Sequence, residues 1–203
     1  MYGYTPYTDP HTGEPVDISD VNHSPAIPGT GDLRVVFLDI DGVLQPHWAE
    51  ERWNHSFDET IDNLVEEHSN DIYRHMDRYD VAAARWDWDE GAVENIRCLC
   101  EQAGAVIMVE SDWREYNDEN QMRALLAIWG LDEYYVGNTV SGPYGARVSK
   151  DESIRDYVEQ HVDELASYVI IDDNPVFADM DRQVLTRQLF NGDDLVQAVE
   201  MLS

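Results

Sequence analysis

The sequence predicts an α/β fold built on a central parallel sheet. Three short apolar runs rich in β-branched residues, Val35–Leu38, Ala105–Val109 and Tyr168–Ile171, read as strands buried on both faces. Helical periodicities separate them, the alternation that strand–helix–strand units produce. The first and third runs each end in paired acids, Asp39 with Asp41 and Asp172 with Asp173. Ligands of open α/β sheets bind beyond the carboxyl ends of the strands, which is where these four acids would gather.

Residues 1–32, rich in Pro, Gly, Thr, Asp and Tyr and without any period, read as a flexible tail ahead of a domain spanning 33–203. A chain of 203 residues that is 43% hydrophobic can bury one core. After the first strand, Gly42 lets the backbone turn tightly. The stretch 45–87 is too long for a simple connection. Within it Ile61, Leu64, Val65, His68, Ile72, Tyr73, Met76 and Tyr79 fall at three- and four-residue steps, so a helical insert is expected. Trp48, Trp53 and Phe57 at its start favour a cap over the strand ends above a helix packed on the side. The next helix spans 90–103, with Asp89 as N-cap, Val93, Ile96, Leu99, Cys100 and Ala103 inward, and Gly104 as its end. The second strand then delivers Glu110-Ser111-Asp112-Trp113-Arg114 to the edge reached by the first. Met122, Leu125, Leu126 and Trp129 mark a further helix closed by Gly130, and Tyr134–Gly137 a short strand and turn before a Gly/Pro loop. Arg147-Val148-Ser149-Lys150 opens a helix with Ile154, Tyr157, Val158 and Val162 inward. Residues 184–202 read as an edge strand, a turn at Asn191-Gly192 and a last helix.

Against 42 acids stand 13 basic residues, a formal net charge of −29 that repels long polyanions and acidic membranes. A solvated acidic surface is the plainer account of it, ahead of one basic partner. No run of about 18 apolar residues and no signal-peptide pattern is present. Cys98 and Cys100 fall on different sides of a helix and suit neither a mutual bridge nor zinc, so a reduced, cytoplasmic protein is expected. His47, His55, His68 and His75 lack metal-ligand spacing and read as surface or packing residues, with a place in the pocket as the alternative for His47. Lys150 is the one lysine among the basic residues, which singles it out. The sequence carries no signal for an oligomeric state.

Asp39 and Asp41 side by side repel each other unless a cation lies between them, and Mg²⁺ is the hard cation that takes carboxylates while keeping positions for phosphate oxygens. With Gly42-Val43-Leu44 behind it, the run Val35–Leu44 resembles the first motif of the haloacid dehalogenase (HAD) superfamily, mostly Mg²⁺-dependent phosphatases. The resemblance implies a three-layer Rossmann-like fold with a small helical insert after the first strand, Asp39 as nucleophile and Asp41 as general acid/base. Ser111 fits the second motif, binding a phosphoryl oxygen, with a helix cap as its alternative role. Ser-Asp-Trp-Arg resembles the subgroup found in RNA-repair proteins, although Glu110 stands where a small residue is usual and would place an extra acid near the site. Arg114 would clamp the substrate phosphate or pair with an acid. Lys150, with Arg147 as fallback, matches the cation of the third motif. Asp172-Asp173 matches the fourth, so the implied metal set is Asp39, Asp41, Asp172 and Asp173, with Asp173 a direct ligand and Asp172 holding Lys150 or a metal-bound water. Gly42, Ser111 and Arg114 form the implied substrate-binding set. The expected activity is hydrolysis of a small phosphate monoester through an aspartyl-phosphate. The alternatives are a non-catalytic binding module and a nucleic-acid end-healing phosphatase, the latter opposed by the net charge.

Overall fold

The computed structural model describes residues 31–139, 148–178 and 181–203. Among these, five strands form one sheet in the order β3-β2-β1-β4-β5: β1 Leu33–Leu38, β2 Val106–Val109, β3 Tyr135–Asn138, β4 Leu165–Asp172 and β5 Gln183–Leu185. Every pairing is parallel. β1 sits at the centre, and Val35 to Leu38 are entirely buried, as a strand covered on both faces requires.

Successive side chains feed opposite layers. Val36, Leu38, Ile107, Val109, Val169 and Ile171 face the larger core. It is closed by α3 (Glu90–Ala103), α4 (Glu119–Ala127) and α6 (Gly192–Leu202). Val35, Phe37, Met108 and Ile170 face a smaller one under Ile154 and Tyr157 of α5 (Lys150–Gln160). The three layers follow from that alternation. α3 has the expected limits, with Asp89 accepting from Ala92 N and Gly104 in the left-handed region at φ 61°. α5 is shorter than expected and leaves Val162 exposed beyond its end.

The insert forms as helices, though not as one continuous helix, and much of it packs against the flank of the sheet near α4. α1 (Phe57–His68) ends where Ser69 turns left-handed at φ 52°. A 3-10 turn over Asp71–His75 follows, and α2 (Arg78–Trp86) starts afresh under its own N-cap, Asp77. Leu64, Tyr73, Val81, Ala83 and Ala84 are buried in the main core beside Met122 and Leu125. Tyr73 Oη donates to Ala124 O at 2.8 Å and Trp129 Nε1 to Ala84 O at 2.6 Å, which fixes the insert against the flank near α4. Trp53 packs with Phe57 and Tyr79 on the outside of this bundle, while Trp48 is 67% exposed. No helix of the described residues is long and apolar enough to cross a membrane.

Candidate active site

The parallel register brings the strand ends level. Leu38 pairs with both Val109 and Ile171, and the ladder runs on through Asp39 N to Ile171 O and Glu110 N to Leu38 O. Asp39, Glu110 and Asp172 therefore leave the sheet on one edge. A cleft of about 620 Å³ opens there, lined among others by Asp39, Asp41, Arg114, Lys150 and Asp173.

Lys150 is the first residue of α5, and its Nζ reaches Asp172 Oδ2 at 2.6 Å and Asp39 Oδ2 at 3.0 Å. A cation in the first turn of a helix opposes the helix dipole, and the two acids offset that. Burial pushes the Asp39 carboxyl up to about 7, with Asp172 adding to the rise and Lys150 opposing it. Burial also raises Asp172 against Lys150. For Lys150 burial pulls downward, but Asp39 and Asp172 outweigh it and its ammonium is held above the ordinary value. Among the described residues, three carboxyls, Asp39, Asp172 and Asp173, gather beside Lys150.

Asp39, Asp172 and Asp173 each offer a carboxylate oxygen, all within 4.8 Å of one another. Hard oxygen donors this close fit a divalent cation such as Mg²⁺. Asp41 stands outside that triad. Its Oδ1 accepts from Gln45 Nε2 at 3.1 Å and its Oδ2 from Trp113 Nε1 at 3.0 Å. Asp172 also accepts from Asn174 N at 2.8 Å, and Asp173 from Asn174 Nδ2 at 2.6 Å.

Gly42 has φ 76°, and its amide donates to Gln45 O at 2.7 Å. A glycine is also needed here because a Cβ would lie 2.8 Å from Asp173 Cβ. Ser111 is wholly buried, and its Oγ accepts from Trp113 N at 3.5 Å, capping the 3-10 turn Asp112–Glu115. Arg114 lines the cleft, but its Nη2 pairs with Glu110 Oε1 at 2.8 Å and its Nη1 donates to Ser111 O at 2.7 Å. Glu110 is not an acid in the pocket. It is buried, paired with Arg114, and accepts from Ser153 Oγ at 2.9 Å and from Thr139 Oγ1. Arg147 lies outside the described residues.

His47 is exposed and stands at the cleft, so both readings of it meet. Its Nε2 is 2.7 Å from Asp173 Oδ2, and that hydrogen bond raises the imidazole above its ordinary value despite partial burial. The contacts of Trp113 and Gln45 with Asp41 were not read from the sequence. Gln45 lies four residues after its carboxylate partner in one turn, whereas nothing in local spacing ties His47 or Trp113 to theirs.

A family model described as the HAD domain in Swiss Army Knife RNA repair proteins matches residues 35–192. Neither the curated proteins nor the solved structures hold a match to the chain.

Proposed function

This chain belongs to the HAD domains of Swiss Army Knife RNA repair proteins, and on that premise we propose that it is a Mg²⁺-dependent phosphatase acting on a phosphate monoester through an aspartyl-phosphate. The carrying observation is that Asp39, Asp172, Asp173 and Lys150, from three separate elements, meet in one cleft.

Asp39 and Asp173 would hold the ion, with Asp172 beside them and Asp41 at the rim of the set. When bound, Mg²⁺ neutralises charge on the nucleophile and the incoming phosphate. Lys150 already offsets part of the charge on Asp39, so that one anion can approach another. Asp39 attacks phosphorus in line, forming a carboxyl O–P bond as the ester P–O bond breaks. Asp41 gives its proton to the departing oxygen, then takes one from the water that cleaves the aspartyl-phosphate. Arg114 at the cleft wall contacts phosphoryl oxygens. Ser111 keeps its hydroxyl proton for another, since its lone pair accepts from Trp113 N.

The family description favours a phosphorylated RNA end as substrate. A charge of −29 opposes binding of a long polyanion, so the terminal phosphate alone would enter the cleft. The test compares wild type with Asp39→Asn, in Mg²⁺, on an aryl phosphate and on a short end-phosphorylated RNA. Wild type should release phosphate and the variant none; equal activity in the two ends the proposal.

A further inference from the structure

The turn after β1 and the turn after β2 meet at Asp41, through two side chains that the reaction above leaves without a part. Trp113 Nε1 donates to Asp41 Oδ2 at 3.0 Å, and Gln45 Nε2 donates to Asp41 Oδ1 at 3.1 Å. Each carboxylate oxygen is thus held by one donor, so the group cannot rotate freely, while each oxygen retains a lone pair for a proton.

Both donors are themselves fixed. Trp113 is 9% exposed, and its ring lies 5.7 Å from that of Trp88. Its carbonyl accepts from Asn117 N at 3.0 Å and Asn117 Nδ2 at 3.1 Å. Gln45 is 7% exposed, and its amide donates to Ile40 O at 3.0 Å within the turn that carries Asp41. An indole nitrogen can only donate, so its aim at a carboxylate in the cleft has one chemical sense. We propose that Trp113 and Gln45 are positioning residues that hold the Asp41 carboxyl in place for proton transfer to and from the reacting oxygens. The proposal rests on the phosphatase reading, and it gives the Trp of the Ser-Asp-Trp-Arg run a part in that chemistry.

Trp113→Phe and Gln45→Met each remove one donor and leave apolar bulk in its place. For a phosphatase working through an aspartyl-phosphate, kcat/KM reports the steps through ester cleavage, where the leaving oxygen takes its proton. An aryl phosphate departs readily as a phenolate and needs that proton little; an alkyl phosphate needs it fully. Misplacing a general acid forfeits much of its contribution. Each variant should therefore lower kcat/KM by about 10- to 100-fold on an alkyl phosphate and by less than about threefold on an aryl phosphate. Trp88→Phe, which disturbs the same packing but removes no donor from Asp41, should show no such selectivity. An equal fall on both esters, or no fall, overturns the positioning role while leaving the phosphatase reading intact. A wild-type protein inert on both esters overturns that reading and this inference together. The two variants sit on different turns, so if one fails to fold by circular dichroism the other decides.

Discussion

At Gly42 the backbone has φ 76° and an added methyl would meet Asp173 Cβ at 2.8 Å. Gly42→Ala therefore combines left-handed strain, of order 1–3 kcal/mol, with displacement of a carboxylate proposed to hold the metal. Urea unfolding should show the loss of stability, and calorimetric titration a weaker Mg²⁺ affinity; unchanged values of both would refute the account. That Gly42 turns the chain was readable from the sequence, because the requirement is local. That it clears space for Asp173 was not, because the partner is brought in by the sheet. His47 illustrates the same limit, since its contact with Asp173 spans 126 positions. Lys150 was legible for another reason: scarcity singled it out, and its place at a helix start put it near the strand ends.

At the scale of elements, strands and capped helices could be read off because their signals are local, such as apolar runs or Asp89 and Gly104 around α3. An amphipathic stripe says that a face is buried but not against what, so the insert's flank packing was not legible. Nor could the sequence show that Glu110 ties β2 to β3 through Thr139 and to α5 through Ser153. Burial raises the Glu110 carboxyl, outweighing Arg114, Thr139, Ser153 and Lys150. The sign follows from linkage: the folded state holds this proton more tightly than the unfolded chain, whose ordinary value is 4.5. Its stabilising contribution is complete below that value and is lost as pH rises through the folded one. Glu110→Gln keeps an acceptor and removes the titration, so thermal melts should show it gaining on wild type as pH rises above 4.5. Parallel melting curves across pH would contradict this. Arg114→Met leaves the acid without its cation and should lower unfolding stability by about 3 kcal/mol in urea.

For the whole molecule the dominant quantity is the charge of −29. Like charges at this density repel one another in the compact state, so added salt of any kind should raise the melting temperature by screening. Mg²⁺ acts in that way too, and a melting shift on adding it is not by itself evidence of a site. The distinction comes from holding ionic strength constant. Screening depends on ionic strength and is shared by NaCl and MgCl₂, whereas an ion bound between Asp39, Asp172 and Asp173 stabilises only the folded chain. That increment grows as RT ln(1 + [Mg²⁺]/Kd) and reaches about 2.7 kcal/mol at a hundredfold excess over Kd. Wild type should therefore melt higher in MgCl₂ than in NaCl of equal ionic strength. Asp173→Asn should melt alike in both, while keeping the general rise with salt. If the variant retains the Mg²⁺-specific increment, the ion binds elsewhere on the acidic surface and the carboxylate triad is not its site.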